Sequence, residues 1–301
     1  MRYRFSDLLL DSDEPLPELQ AVATGDADVS IGWMPPGPPE RRPAFATWPT
    51  PSGGQWLTFA DAAGGYLLTF DTQAQFTVSV DAGHVAVRPF PGTPLTTLRH
   101  LLLNQVLPLV LSRRGRLVLH ASAIGWHGQV AAFMGRSGAG KSTIAAACAA
   151  RGAMVVTDDC LVVRRDGARW LATPCDAGVR LWPETLELLG WPRASGVGVA
   201  HYTDKRRIGA AHPAVRFETR VLPLVRVFQL SAADEPDGRG VLRGRRAVMA
   251  LASALFRLDV RDAEESRRQF DAISALAAEV SIEAMAREHP AEAAAAVLCR
   301  M

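Results

Sequence analysis

Gly135-Arg136-Ser137-Gly138-Ala139-Gly140-Lys141-Ser142 is the stretch that decides the fold. It fits the phosphate-binding pattern G-x-x-x-x-G-K-S/T. An apolar run, Val130 to Met134, precedes it, and a helix-forming run, Thr143 to Ala150, follows. That is the strand, loop and helix order the pattern needs. Glycines let successive backbone N–H groups turn inward onto phosphate oxygens. The start of the helix adds partial positive charge. The expected nucleotide contacts are therefore Gly135, Arg136, Ser137, Gly138, Ala139, Gly140, Lys141, Ser142 and Thr143. Lys141 is expected to reach the β- and γ-phosphates and the Ser142 hydroxyl to coordinate Mg²⁺. The implied cofactors are ATP and magnesium. Arg136 either touches phosphate or faces water.

Lysine usage adds a second signal. The chain has 33 Lys and Arg residues, and of these only Lys141 and Lys205 are lysines. Lysine and arginine are not interchangeable at a phosphate. Lys205, in Thr203-Asp204-Lys205-Arg206-Arg207, is either a second cation for the same site or part of a solvated basic turn.

Working outward, Ala153 to Thr157 reads as a buried strand that ends in Asp158-Asp159. Carboxyl ends of strands face the ligand crevice in open α/β sheets. Phosphoryl transfer needs one carboxylate for the metal and one to orient the acceptor hydroxyl. The other reading is a turn-forming Asp-Asp. His120 follows Leu117-Val118-Leu119; it is either a satisfied structural residue or a partner that tunes Asp158. Arg180 is either a second phosphate clamp or a loop anchor.

The order His120-Ala121-Ser122-Ala123, then Gly135 to Thr143, then Thr157-Asp158-Asp159-Cys160-Leu161 resembles HPr kinase/phosphorylase and its relatives, including the kinases of lasso-peptide precursors. The resemblance spans roughly residues 95 to 301. It implies a loop-and-sheet core shared with ATP-dependent phosphoenolpyruvate carboxykinase. Asp158 then looks like the general base and Asp159 like a metal-proximal carboxylate, with His120, Lys141 and Ser142 in matching roles. The stretches Gly178 to Trp182 and Asp204-Lys205-Arg206 look closer to the lasso-peptide branch. The HPr-kinase glycine-rich signature downstream of the Asp pair is not evident.

The remaining chain sets the frame. Short strand signals at Gln55 to Ala60, Tyr66 to Phe70, Gln75 to Val80 and His84 to Val87, separated by Gly/Asp turns, make an antiparallel meander. Residues 33–54 are Pro-rich and read as a loop. Thr96 to Leu111 is helical in spacing, with Pro108 expected to kink or end it. Ser231 to Gly240 reads as a polar loop. Helices are expected at Ala247 to Phe256, Ala263 to Ala278 and Ala291 to Cys299. The expected fold is α/β: a P-loop kinase core of HPr kinase and carboxykinase type over 93–301, after a small β-rich N-terminal domain over 1–92.

Net charge is +2 and the basic runs are scattered, so no nucleic-acid partner is expected. The four cysteines have no metal spacing and read as free thiols in a reducing cytosol. No signal peptide or membrane-spanning run is read, so no membrane partner is expected and a cytoplasmic location is. The expected activity is an ATP-dependent serine kinase acting on a peptide or protein, with a ribosomally made precursor peptide as preferred acceptor. A small-metabolite or carboxykinase-like enzyme, a nucleotide-sensing NTPase, and homo-oligomerisation stay open.

Overall fold

The computed structural model describes residues 1–49, 53–230, 240–286 and 289–301. The chain is mixed α/β and divides into two compact units. The first is Met1–Gly115 with Ala200–Tyr202 and Arg257–Arg261; the second is Arg116–Val199, Thr203–Phe256 and Asp262–Met301.

The first unit holds β1 (Arg2–Phe5), β2 (Leu8–Ser12), β3 (Gln20–Ala21), β4 (Val29–Trp33), β5 (Ala44–Pro49), β6 (Gln55–Ala62), β7 (Gly65–Phe70), β8 (Ala74–Ser79) and β9 (His84–Pro89). Among the described residues these form a nine-stranded sheet in the order β3-β1-β2-β4-β9-β8-β7-β6-β5. β6 to β9 are the antiparallel meander read from the sequence. Alternate residues such as Leu57, Phe59, Phe76 and Val78 are buried, as a strand period of two requires. The sequence reading missed β1 to β4, which are short, and β5, which lies inside the Pro-rich segment; residues 50–52 of that segment lie outside the described ones.

The helical stretch after the meander belongs with this first unit, so the boundary falls at Gly115 rather than at residue 92. It is α1 (Leu95–Leu101), a π-helical turn over Leu102–Val106, and α2 (Leu107–Arg113). Pro108 sits just after the π-helical turn, where the helix continues into α2 with a changed hydrogen-bond pattern.

The second unit contains β10 (Leu117–Leu119), β11 (Ala121–Trp126), β12 (Gln129–Met134), α3 (Lys141–Ala149), β13 (Met154–Thr157), β14 (Leu161–Asp166), β15 (Arg169–Thr173), β16 (Gly178–Leu181), α4 (Pro183–Leu188), β17 (Val197–Ala200), β18 (Thr203–Gly209), β19 (Arg216–Phe217), β20 (Leu222–Leu230), β21 (Gly240–Leu242), α5 (Gly244–Ala252), α6 (Ala263–Glu279), β22 (Ser281–Met285) and α7 (Pro290–Leu298). Most of the polar loop expected at Ser231 to Gly240 lies outside the described residues, and Gly240 itself opens β21.

Along β12 the side chains alternate between two cores. Ala131 and Phe133 pack with Ile144, Ala145 and Cys148 of α3 and Ala293 and Val297 of α7. Ala132 and Met134 pack on the other side with Ala247 and Leu251 of α5 and Ile273 and Leu276 of α6. Phe133 stacks on Phe228 with ring centroids 5.8 Å apart. Full burial of such a side chain stabilises by about 1.5–3 kcal/mol, so helices on both faces hold the sheet, and with it the loop at its edge.

Strand direction then places the site. β11 runs antiparallel to both β12 and β13, so β12 and β13 run the same way. β20 is parallel to β12, and β22 is parallel to β20. The carboxyl ends of all four strands share one edge. Ala121 pairs with Met134, so the amino end of β11, just after His120, lies at that edge too. The glycine loop, the Asp pair and His120 are brought together by sheet register.

Candidate active site

The loop over 135–140 joins β12 to α3. Gly135 has φ +150°, and a Cβ there would lie 2.9 Å from the Leu230 carbonyl oxygen, so only glycine fits. Gly140 caps α3 with φ +99° and no side-chain cap. The first N–H groups of α3 therefore have no intrahelical acceptor and face the loop. Arg136, Ser137 and Gly138 are exposed, while Ala139, Gly140, Ser142 and Thr143 are half-buried. Lys141 is buried, and its ammonium bends back to donate to the Gly135 and Arg136 carbonyls at 3.0 and 3.4 Å. Burial lowers the Lys141 pKa, against the pull of Asp159 and Asp158. Thr143 Oγ1 lies 3.5 Å from Thr185 Oγ1.

Asp158 and Asp159 follow β13, in a turn closed by Thr157 Oγ1, which donates to the Cys160 carbonyl at 2.7 Å. The two acids have opposite surroundings. Asp158 is fully buried. Its Oδ1 accepts from Ser122 Oγ at 2.5 Å and from Ser142 Oγ at 2.8 Å, and its Oδ2 accepts from the Arg180 backbone N–H at 2.9 Å. Burial raises its pKa, as does the charge of Asp159, while Arg180 and the Ser122 hydrogen bond pull it down. So occupied, Asp158 has little capacity left for an incoming alcohol. It stands behind Ser142 and fixes the direction of that hydroxyl.

Asp159 adopts the left-handed backbone region, φ +67°, and keeps 17% of its side chain exposed. His120 Nε2 lies 3.8 Å from its Oδ1. Burial works to raise the Asp159 pKa, but His120, Arg180, Lys205 and Lys141 together bring it down to about 2. The His120 imidazole is pushed down to about 4, by burial first and then by Lys141 and Lys205, against Asp159. It is a neutral ring at pH 7. Its backbone N–H donates to the Ala254 carbonyl at 2.6 Å and its ring lies 5.7 Å from that of Phe256.

Arg180 has the geometry of an anchor rather than of a phosphate clamp. It is buried, donates to Asp176 Oδ2 at 2.8 Å and to the Asp158 carbonyl at 3.3 Å, and its Nη1 lies 3.7 Å from Asp158 Oδ2. Asp176 also draws Arg207 to 3.5 Å. Lys205 belongs to the same neighbourhood, since its charge acts on Asp159, His120 and Lys141. Its side chain lies over Trp182, with Nζ 5.5 Å from the ring centre.

Sequence reading gave no role to Ser122, Asp176 or Trp182. A buried serine in an otherwise small, apolar strand and the i, i+4 spacing of Asp176 and Arg180 were the available signals. Among the described residues no group of three or more His, Cys, Asp or Glu residues is placed to hold a metal ion. A Mg²⁺ at Ser142 would count phosphate oxygens and water among its ligands, as this ion commonly does. The cysteines behave as free thiols; Cys160 and Cys175 are buried, with their sulfurs 3.5 Å apart. No helix among the described residues is long and apolar enough to cross a membrane.

No family model and no curated protein matches the chain. Among solved structures it is similar to the HPr(Ser) kinase/phosphatase from Coxiella burnetii, at 11% sequence identity and a TM-score of 0.34, over 61% of this chain and 93% of that one. So loose a superposition lends no weight to a functional reading, which rests on the chain's own geometry.

Proposed function

We propose that this chain is an ATP-dependent kinase that transfers the γ-phosphoryl group to a serine hydroxyl of a peptide or protein. The observation that carries the reading is the hydrogen-bonded run Ser122–Asp158–Ser142 behind a glycine loop, with Asp159 beside it and still open. Loop N–H groups and Lys141 grip the triphosphate. Asp158 aims the Ser142 hydroxyl. A Mg²⁺ held by Ser142 would supply charge neutralisation at the phosphates. Asp159 orients the acceptor hydroxyl and takes its proton, with the neutral His120 ring alongside. This exchanges the two acid roles that the sequence resemblance implies. A carboxylate near pKa 2 is a weak base, but the loose transition state of phosphoryl transfer needs positioning more than base strength. As the serine oxygen–phosphorus bond forms, the bond to the β,γ-bridging oxygen breaks and ADP leaves. Lys205 offsets charge on the transferred group.

The preferred acceptor is a ribosomally made precursor peptide of the lasso type, which the resemblance of the stretches Gly178 to Trp182 and Asp204-Lys205-Arg206 supports. The test is mass spectrometry of such peptides after incubation with the protein, ATP and Mg²⁺. A gain of one phosphate on serine is expected. ATP consumption that no peptide or protein accelerates would sink the reading, and would favour a metabolite kinase or a nucleotide-sensing NTPase.

A further inference from the structure

Lys205 is a cation beside the reacting groups that is held by no carboxylate. Among the described residues it makes no ion pair within 4.0 Å, although Asp159 lies within reach of its charge. Its ammonium instead lies over the indole of Trp182. The backbone enforces this meeting. β16 and β18 are antiparallel with Leu181 opposite Arg206, so the next residues outward, Trp182 and Lys205, face each other. Trp182 is extended (φ −70°, ψ 149°) and is followed by Pro183, which opens α4 and fixes the turn. Trp182 is 44% exposed, so the apolar core does not account for a residue of this size here.

The choice of partner has a chemical consequence. A carboxylate would hold the ammonium in place and neutralise it. An aromatic face holds it through the ring quadrupole and leaves its charge available to an anion. Lysine, a compact point charge, suits a phosphoryl oxygen that moves during transfer.

We propose that Trp182 is a positioning residue: its ring holds the Lys205 ammonium, un-neutralised, at the place where charge spreads over the transferred phosphoryl group. This deepens the kinase reading above and rests on it. The effect belongs to the transfer step, so it moves kcat more than the KM for ATP.

The experiment replaces Trp182 site-specifically with mono-, di- and trifluorinated tryptophan, which drains the ring face without changing the packing. Transfer from ATP to a mixture of synthetic serine-containing peptides is then measured. Stepwise loss of kcat reaching about tenfold is expected, with KM for ATP within about threefold. The same series in a Lys205→Met background is expected to be flat. Trp182→Phe keeps most of the activity and Trp182→Leu does not. Transfer indifferent to fluorination, or equally sensitive without Lys205, overturns this proposal alone. A wild-type protein whose ATP consumption no peptide or protein accelerates overturns the kinase reading and this proposal with it. Because the fluorinated variants are nearly isosteric, a Trp182→Leu protein that fails to fold leaves the test intact.

Discussion

The inner and outer flanks of the candidate site follow different building rules. On the inner flank Ser122, Asp158, Ser142, Arg180 and Asp176 are tied by hydrogen bonds of 2.5–3.3 Å, and Asp158 and Arg180 are almost wholly removed from water. On the outer flank His120 and Asp159 stand 3.8 Å apart, and among the described residues neither side chain makes a hydrogen bond; Lys205 rests on an aromatic ring. On the proposed function, the contrast separates a frame from working groups. A buried polar network is rigid when satisfied and costly when half-satisfied. A group meant to meet a substrate has to keep capacity unspent.

The sharpest way to break the comparison is to neutralise each acid. Asp159→Asn is expected to cut kcat by about 10²–10⁴-fold while nucleotide affinity stays within about tenfold, because the lost step involves the acceptor. Asp158→Asn is expected instead to raise the Mg²⁺ concentration needed for half-maximal rate and to lower thermal stability. If Asp158→Asn lowered kcat alone, with Mg²⁺ dependence and melting unchanged, the two roles would have to be swapped back. Lys141→Ala is next in size, a loss of about 10²–10³-fold in kcat/KM, since it removes a donor aimed at developing charge. Its hydrogen bonds go only to the loop, while its charge acts on Asp158 and Asp159, so its melting temperature reports how far loop and frame are coupled.

Ser122→Ala probes the frame alone. It leaves Asp158 short of a donor in a buried place, which costs about 1–3 kcal/mol of stability. Activity at a temperature where the variant is folded is expected to fall less than its stability suggests. The last expected effect is on acid stability. The folded His120 pKa is about 4 against an ordinary 6.5. Below pH 6.5 the unfolded chain takes up a proton that the folded one refuses, so stability falls as pH drops from 6.5 to 4. His120→Asn, which cannot titrate, is expected to flatten that part of a melting-temperature profile. The Asp159 pKa acts in the same direction over a lower window: depressed to about 2 from 3.8, it contributes stability above pH 3.8 that is lost as pH falls toward 2.

Local chemistry made part of the site legible in the sequence. Glycine spacing, one lysine and a serine define the loop without reference to distant residues, and the Asp pair sits at the end of a readable strand. What remained hidden depends on pairing across the sheet. Ser122 reaches Asp158 only because β11 lies between β12 and β13, and β11 itself, Ala-Ser-Ala-Ile-Gly-Trp, is too small and mixed to announce a strand. Arg180 had two readings until Asp176 appeared beside it. Nor could composition show which neighbouring acid is sealed: residues 158 and 159 are chemically identical and differ only in what surrounds them. In the first unit the meander was readable from its regular turns, whereas β1 to β4 were too short to stand out.

The left-handed turn at Asp159 constrains how that position can be probed or evolve. Asparagine and aspartate share a tolerance for this conformation that most side chains lack. Asparagine therefore removes the charge while keeping the bend. Alanine would remove the charge and strain the bend at once, so an alanine scan would mistake a twisted hinge for lost chemistry. Glycine offers the complementary control, since it relaxes the bend and deletes the carboxylate together. A natural variant that has given up phosphoryl transfer but kept the pocket is thus expected to carry asparagine or glycine here, and seldom valine or isoleucine.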